Sequence, residues 1–273
     1  MPSRSKTEVL QGNINHSAGA QDLFCQSMAE WGINLEFVAE PYCVPESPNW
    51  VASQDDTAAI VIRPSDVVPA LSLREKGMGY VAANWANYFS PNRIRAEFES
   101  FLNAVEGVVR RAAPLQVLVA GDFNAKSSAW GSSKTDLRGD ILESWALSLG
   151  LQVLNRGNTP TCVRWQGTSI VDVTFATNAL TARMRGWRVE EEVETLSDHL
   201  YVRYEVSTGT SADSQRGDPK ITVAFPRWAV AKIQPDVAGR GGDGEGVVYG
   251  PSPPSRQHRW PSRALCRRSP GSL

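Results

Sequence analysis

Apolar runs that end in polar side chains are the feature that most constrains this chain. Residues 117–120 are Val-Leu-Val-Ala and lead directly into Gly121-Asp122-Phe123-Asn124. A short apolar run bounded by a turn signal predicts a fully buried strand, so we expect the Asp122 carboxylate where that strand meets solvent. A second polar tetrad, Leu196-Ser197-Asp198-His199, precedes another apolar stretch.

Asp, Asn and His at strand ends predict a metal-dependent phosphodiesterase site. Cleavage of a phosphodiester needs a metal that absorbs charge, a base that activates water and a group that stabilises the leaving oxygen. Each tetrad also has a purely structural interpretation, because an Asp-Asn turn after a strand commonly binds only nearby backbone amides. Taken singly, the two motifs leave both interpretations open.

Composition predicts one substantial core in a soluble protein. The chain has 273 residues, of which 41% are hydrophobic, and no run approaches the roughly 20 apolar residues of a membrane span. The polar start has no apolar segment behind it that resembles a secretory signal, so we expect an intracellular protein with no membrane partner. Residues 1–207 hold 18 Lys and Arg against 24 Asp and Glu, and residues 208–273 hold 10 against 5. An acidic body predicts weak nonspecific DNA binding, although it does not exclude a DNA substrate.

Hydrophobic periodicity predicts an α/β fold. Strands are expected near residues 8–14, 35–39, 58–63, 79–85, 117–120, 152–155, 161–165, 170–176, 185–189 and 201–206, and helices over 20–31, 95–111 and 140–149. Many connections are too short for crossover helices, which favours a two-sheet αββα sandwich over a doubly wound sheet. Residues 1–207 form the predicted domain, residues 208–236 a linker, and residues 237–273 a Gly/Pro/Arg-rich tail expected to be disordered.

A set of motifs in a fixed order then carries a resemblance to a known family. The order includes LQGNINHSAGAQDL, VAEPYCVP, YFSPNR, VAGDFNAKSSAWGS, NRGNTPTCV, SIVDVTFAT and ETLSDHLYV. Over about residues 8–206 this set resembles the endonuclease/exonuclease/phosphatase superfamily, the fold of abasic-site nucleases and DNase I. The sequences of these motifs are similar, more specifically, to the endonuclease domain of arthropod non-LTR retrotransposons that insert into ribosomal RNA genes.

The resemblance implies a Mg²⁺ cofactor, with Mn²⁺ as a substitute. Glu40 is implied as the principal ligand, a hard carboxylate that suits a hard cation. Asn13 and Asp198 are implied to orient the metal or its waters.

The resemblance also implies catalytic roles. Asp122 would orient or deprotonate the attacking water, and Asn124 would hold that water or a phosphoryl oxygen. His199, paired with Asp172 through its other ring nitrogen, would donate to the oxyanion. Tyr88 would contact the phosphate or assist the leaving oxygen. Thr161 and Asn92 are secondary candidates for phosphate contact.

The implied function is a nuclear DNA endonuclease that nicks one strand of double-stranded DNA. The nick would leave a 3′-hydroxyl that primes reverse transcription by a polymerase domain absent from this sequence. Two alternatives stay open: an inactive remnant that keeps the fold, and an abasic-site nuclease or phosphatase of the same superfamily.

Two departures from the family pattern bear on activity. Residues 79–85 run almost directly into Tyr88, where relatives have a further strand, so the sequence predicts that most of one strand is missing. Residues 225–230 resemble the segment that follows this domain in such elements, but the resemblance stops after about Asp236. The tail therefore resembles translation in another reading frame.

Overall fold

The protein was analysed as a computed structural model that describes residues 6–63, 73–83, 86–89 and 95–207, without the side chains of 86–89 and 95–96. The predicted linker at 208–236, the predicted tail at 237–273 and Asn92 lie outside the described residues. The helices are α1 (Ala18–Trp31), α2 (Arg95–Ala112), α3 (Leu137–Ser148) and the short α4 (Asn178–Thr181). The strands are β1 (Lys6–Asn13), β2 (Leu35–Ala39), β3 (Trp50–Ala52), β4 (Ala58–Ile62), β5 (Leu73–Gly77), β6 (Tyr80–Ala83), β7 (Ala86–Phe89), β8 (Leu118–Asp122), β9 (Leu151–Val153), β10 (Cys162–Arg164), β11 (Gly167–Ser169), β12 (Asp172–Thr177), β13 (Met184–Glu190) and β14 (Tyr201–Ser207).

Twelve of these strands form two six-stranded sheets. Sheet I has the order β13-β14-β1-β2-β4-β3, and sheet II has the order β5-β6-β7-β8-β12-β9. Within sheet I, β1 is parallel to β2 and antiparallel to β14. Within sheet II, β8 is parallel to β7 and antiparallel to β12. The remaining pair, β10 and β11, forms a separate hairpin.

The inner layer of the sandwich lies between the two sheets. Strand side chains alternate between faces, so one face of each sheet supplies this layer. On β1 and β2 the inward residues include Val9 and Phe37, and on β8 and β12 they include Leu118 and Ala176. These side chains are buried in one cluster, which shows that the inner faces of the sheets pack on each other.

Helices cover the outer faces. The Phe24 side chain of α1 packs with Leu10 and Tyr201 on the outer face of sheet I. Helices α2 and α3 pack their apolar stripe, which includes Phe98 and Trp145, on the outer face of sheet II. The predicted αββα arrangement is therefore confirmed.

Local sequence signals explain where α1 begins and ends. The Ser17 hydroxyl accepts a hydrogen bond from the Ala20 amide at 3.2 Å, which satisfies one of the donors left free at a helix start. Gly32 ends the helix with a φ of 63°, a left-handed conformation that glycine adopts without steric cost. None of the helices in the described residues is both long and apolar enough to cross a membrane.

The structure corrects the expectation of a missing strand. Strands β6 and β7 are both present, with four residues each, and pair with one another in antiparallel register. Strand β7 also pairs with β8, so sheet II is continuous across this region. Each neighbouring pair of strands from β5 to β8 is hydrogen-bonded.

Most predicted elements are confirmed to within a few residues, but four strands, β3, β5, β7 and β11, were missed. Strands β3 and β11 are three residues long, and β5 carries the charged sequence Leu-Arg-Glu-Lys-Gly. Such strands show little hydrophobic periodicity, because neighbouring strands determine their pairing.

Candidate active site

The two sheets bring their polar strand ends together at one edge of the sandwich. The parallel register of β1 and β2 sets Asn13 beside Ala39, so Glu40 follows at the same edge. In sheet II, Asp122 at the end of β8 pairs with Asp172 at the start of β12. The turn before β14 adds Asp198 and His199, because β14 is antiparallel to β1.

Asn13 and Asp122 join the sheets directly. The side-chain amide of Asn13 donates to Oδ2 of Asp122 at 3.1 Å, and both residues are almost fully buried. The side-chain oxygen Oδ1 of Asn13 accepts from the backbone amide of Asn15 at 2.9 Å, which fixes the direction of the side-chain amide. This bond aligns the edge of sheet I with the edge of sheet II.

Asn124 follows β8 in a left-handed turn, which places its backbone and side-chain amides next to Asp122. Its φ is 47°, a conformation that asparagine adopts more readily than most residues. Its backbone amide donates to Asp122 Oδ1 at 3.0 Å, and its side-chain amide lies 3.5 Å from Oδ2. Amide donors therefore surround the Asp122 carboxylate.

His199 forms a buried pair with Asp172. Its Nδ1 lies 2.8 Å from Asp172 Oδ2, and the His199 side chain is only 1% exposed. Burial by itself would lower the pKa of His199, but the charge and hydrogen bond of Asp172 raise it well above its ordinary value. The other ring nitrogen, Nε2, is buried with no hydrogen-bond partner among the described residues. It lies 3.8 Å from Asp122 Oδ2 and 3.9 Å from Asp198 Oδ1.

Burial raises the pKa of Asp122 to about 7, and the nearby Asp172 charge adds to the increase. His199 and the donating amides of Asn124 and Asn13 act in the opposite direction. A carboxylate in this range is suited to exchange protons near neutral pH.

One carboxylate oxygen of Asp198 forms an ion pair, and the other lies toward the cluster. Its Oδ2 pairs with the Arg164 guanidinium, which belongs to the β10–β11 hairpin. Its Oδ1 is buried with no hydrogen-bond partner in the described part of the chain. The Asp198 carbonyl oxygen also accepts from the Val163 amide at 2.7 Å, so the hairpin and the turn are fixed to one another.

Glu40 is held in place through its backbone. Its φ is 49°, and its amide and carbonyl bind Thr57 and His16, each at 2.8 Å. The His16 ring nitrogen Nδ1 lies 3.2 Å from the Pro41 carbonyl oxygen. The Glu40 side chain is half-buried. A left-handed glutamate is costly, and such backbone strain clusters at functional sites.

Positive φ angles are concentrated at this edge. Of the six non-glycine residues with positive φ in the described ranges, all but Asp56 lie in turns next to the cluster. The other five are Asn15, His16, Glu40, Asn124 and Leu196. The fold thus maintains an unfavourable backbone in the turns that present the polar side chains.

Sequence reasoning missed several residues that position the cluster. The Ser197 hydroxyl donates to the Asn13 carbonyl oxygen at 2.7 Å, which ties the turn before β14 to the end of β1. The Asn155 side chain donates to the Asp172 carbonyl oxygen at 2.9 Å and accepts from the Thr174 amide at 2.9 Å. Ser197 and Asn155 stand in the motifs ETLSDHLYV and NRGNTPTCV, but neither was assigned a role from the sequence.

Thr161 lies next to Asp172 and binds the backbone at the start of β12. Its hydroxyl accepts from the backbone amides of Val171 and Asp172, each at 3.1 Å, and the side chain is fully buried. Its contact with phosphate stays a prediction. Thr161 fixes the start of β12, from which Asp172 projects.

The structure therefore brings most of the predicted site residues to one edge. Asn13, Asp122, Asn124, Asp172, Asp198 and His199 lie together, and Glu40 follows the adjacent strand end. Tyr88 lies in β7, opposite Val81 and Ala120, and its side chain is outside the described residues. The roles of all these residues stay predictions.

The donor set fits a hard divalent cation. The buried Asp198 Oδ1 lacks a partner, and no hydrogen bond or ion pair of the Glu40 carboxylate occurs among the described residues. Carboxylate and amide oxygens are the ligands that Mg²⁺ uses in proteins. Glu40, Asn13 and Asp198 are thus suited to hold such an ion.

Comparison with known proteins identifies relatives of this chain. A sequence profile of a family described as "Endonuclease-reverse transcriptase" matches residues 84–203. None of the curated proteins matches significantly. Among solved structures, the endonuclease domain of TRAS1, a telomere-specific non-LTR retrotransposon, is 30% identical. That match has a TM-score of 0.61 and covers 73% of this chain and 98% of the TRAS1 domain.

Two more distant structures share the fold. A 3′-5′ exonuclease from Neisseria meningitidis is 15% identical with a TM-score of 0.54, over 74% of this chain and all of that one. An AP endonuclease from Archaeoglobus fulgidus is 13% identical with a TM-score of 0.55, over 72% of this chain and 98% of that one. The arthropod and ribosomal-gene parts of the resemblance stay predictions. The match to nearly the whole TRAS1 domain, together with the family profile, shows that this chain belongs to the retrotransposon endonucleases of the endonuclease/exonuclease/phosphatase superfamily.

Proposed function

We propose that this chain is a Mg²⁺-dependent DNA endonuclease that nicks one strand and leaves a 3′-hydroxyl for target-primed reverse transcription. The observation that carries the proposal is the buried arrangement of His199 between Asp172 and Asp122 at the joined edges of the two sheets. In an intact element the product would be used by a reverse transcriptase domain, and the substrate would place the protein in the nucleus.

His199 is suited to stabilise the phosphoryl oxygens. With Nδ1 bonded to Asp172, the ring orientation is fixed, and Nε2 faces the cluster with no hydrogen-bond partner in the described part of the chain. The nearby carboxylates favour the charged ring, so Nε2 carries a proton that it can donate. A preorganised donor in a buried site costs no reorganisation when charge develops on the substrate.

Asp122 is suited to orient water and take its proton. The amides of Asn13 and Asn124 hold both carboxylate oxygens, so the group cannot rotate freely. Its pKa of about 7 makes it an effective base close to neutral pH. Mg²⁺, or Mn²⁺ in its place, would supply Lewis-acid stabilisation of the phosphoryl group from a site formed by Glu40, Asn13 and Asp198.

The β10–β11 hairpin offers a surface for DNA. Trp165 at its tip is 91% exposed, the most exposed large hydrophobic side chain of the described residues. The adjacent Arg164 binds Asp198, so the hairpin is anchored directly beside the site. Exposed aromatic groups next to basic residues stack on bases or sugars in many nucleic-acid complexes.

Nicking of supercoiled plasmid by the full chain tests the proposal. Reactions with Mg²⁺, Mn²⁺ or EDTA are compared with Asp122→Ala and His199→Ala, and circular dichroism verifies folding of each protein. We expect metal-dependent open circles from wild type alone. Extension of the product by a DNA polymerase would verify the 3′-hydroxyl.

The same assays separate the alternatives. Folded wild-type protein without nicking in either metal would identify an inactive remnant and reject the proposal. Cleavage confined to plasmid that contains abasic sites, or phosphate release from a 3′-phosphorylated oligonucleotide, would instead identify an abasic-site nuclease or a phosphatase.

A further inference from the structure

A buried cysteine lies among the candidate catalytic residues and has no part in the chemistry above. Cys162 begins β10 and is only 2% exposed. An isolated β-bridge sets it opposite His199, so the backbone brings the two side chains close. The Cys162 sulfur, an Asp198 carboxylate oxygen and a His199 ring nitrogen all lie within 4.8 Å of one another.

From this geometry we infer that Cys162, Asp198 and His199 form a binding site for a soft divalent cation of the Zn²⁺ class. The site shares Asp198 with the hard-cation site but differs from it in metal preference, because a thiolate and an imidazole nitrogen prefer Zn²⁺ to Mg²⁺. Three protein ligands with one open position are typical of zinc bound outside purely structural sites.

The free ligand atoms point to the same place. His199 Nδ1 is engaged with Asp172, which leaves the buried, unpartnered Nε2 as the donor. Asp198 Oδ2 is engaged with Arg164, which leaves the buried Oδ1. These two atoms are 3.9 Å apart. Ligand atoms around a tetrahedral Zn²⁺ with bonds of 2.0–2.3 Å lie about 3.3–3.8 Å apart, so closure requires only a small movement.

Electrostatics and access also suit a cation. The carboxylates of Asp122, Asp172 and Asp198 all lie within 4 Å of His199, and these three acidic groups outnumber the two nearby basic groups, Arg164 and the His199 ring. The Asp198 side chain is 24% exposed and gives an ion a route from solvent. Binding would release the Cys162 thiol proton and any proton on His199 Nε2, because both groups bind metal only after deprotonation.

Occupation would inhibit the endonuclease, and this consequence rests on the proposed function. Zn²⁺ on Nε2 removes the proton donor, and Zn²⁺ on Asp198 removes a ligand of the hard-cation site. Zinc and magnesium would therefore have opposite effects on nicking.

Metal binding is measured first and needs no enzymatic activity. The full chain, reduced and free of Mg²⁺, is titrated with Cd²⁺ while the ultraviolet thiolate-to-metal charge-transfer absorption is recorded. Zn²⁺ affinity is measured by competition with a chromophoric chelator. We expect a charge-transfer band in wild type, its loss in Cys162→Ala, and a loss of Zn²⁺ affinity of at least about tenfold.

Cys25→Ala is the matched control, because Cys25 is the other free cysteine of the described residues and lies in α1. It should keep the band and the Zn²⁺ affinity. Cys162→Ser retains nearly the same side-chain size and replaces Cys162→Ala if the latter does not fold. An unchanged band and affinity in a folded Cys162 variant would overturn the inference.

The inhibitory consequence has its own readout. We expect Zn²⁺ to reduce plasmid nicking by wild type and by Cys25→Ala at concentrations that leave Cys162→Ser active. Equal inhibition of all three proteins would overturn the claim that Zn²⁺ inhibits nicking through this site. If wild type does not nick at all, the proposed function fails, and the binding measurements still decide whether the zinc site exists.

Discussion

The ring of His199 and the carboxylate of Asp172 are joined by a 2.8 Å contact between Nδ1 and Oδ2, and neither side chain is more than 2% exposed. Asp172 is itself fixed by Thr161, which accepts from its amide, and by Asn155, which donates to its carbonyl oxygen. The pair therefore sets both the orientation and the charge of the only ring nitrogen that faces the cluster.

Asp172→Asn should reduce plasmid nicking by about 10²–10⁴-fold with little loss of folded protein. The amide retains the shape but not the charge, so it no longer favours the protonated ring. Rates under matched Mg²⁺ concentrations measure the effect, with Asp22→Asn on the exposed face of α1 as control. A rate within threefold of wild type would exclude the orienting role.

Asn13→Asp should destabilise the protein in EDTA by about 1–3 kcal/mol, because two buried acceptors would replace a donor and an acceptor. The change would remove the 3.1 Å hydrogen bond that the Asn13 side-chain amide donates to Asp122. Mg²⁺ should restore more stability in this variant than in wild type, since a cation compensates the added charge. Urea unfolding with and without Mg²⁺ measures both effects.

Asn34→Asp is the matched control for that change. The side chain of Asn34 accepts from the Glu8 amide at 3.0 Å through Oδ1, and aspartate keeps that capacity. It should show no extra response to Mg²⁺. A similar metal response in both variants would indicate a general charge effect and would contradict the prediction.

Gly139→Ala should lower stability by about 1–3 kcal/mol or more and reduce nicking. Gly139 lies in α3, where an added Cβ would collide with the Lys126 carbonyl oxygen in the loop after Asn124. That loop is also bound to Asp136, the N-terminal cap of α3. Gly107→Ala in α2 meets only a flexible arginine side chain and should be neutral or stabilising. Thermal unfolding of both variants tests the contrast.

Glu36→Gln should make the protein more stable than wild type at neutral and alkaline pH. Glu36 is fully buried on β2, with neither carboxylate oxygen hydrogen-bonded in the described residues, and burial raises its pKa well above the usual range. A raised folded-state pKa contributes stability that is present below the unfolded value of about 4.3 and is lost as pH rises through the folded value. Each unit of difference amounts to about 1.4 kcal/mol.

The measurement is urea unfolding between pH 4 and pH 9. The variant should match wild type near pH 4 and exceed it increasingly at higher pH. Glu30→Gln, at an exposed position of α1, should follow the wild-type curve. Parallel curves for wild type and Glu36→Gln would show that Glu36 does not titrate in this range.

Trp165→Ala should weaken DNA binding without changing stability. The side chain is 91% exposed, so its removal creates no cavity, and the expected stability change is within about 0.5 kcal/mol. Loss of a stacking contact corresponds to about 1–3 kcal/mol of binding free energy. Fluorescence anisotropy with a duplex oligonucleotide in EDTA measures this, and Leu147→Ala, exposed on α3, is the control.

The sequence by itself predicted most of the elements and the residues that meet in the candidate site. Runs such as residues 117–120 and 201–206 predicted buried strands because strand periodicity is local, and the order of polar motifs at their ends indicated the family. The charged strand β5 and the short strands β3 and β11 carried no such signal, since their pairing depends on neighbours distant in sequence.

Only the tertiary structure decided how the predicted site residues meet. Asn13 and Asp122 are 109 positions apart along the chain and contact because the two sheets pack at one edge. Thr161 became a buried acceptor for two backbone amides, and Cys162 came to lie opposite His199 through a single β-bridge. Such contacts depend on register and packing between elements, which no local pattern specifies.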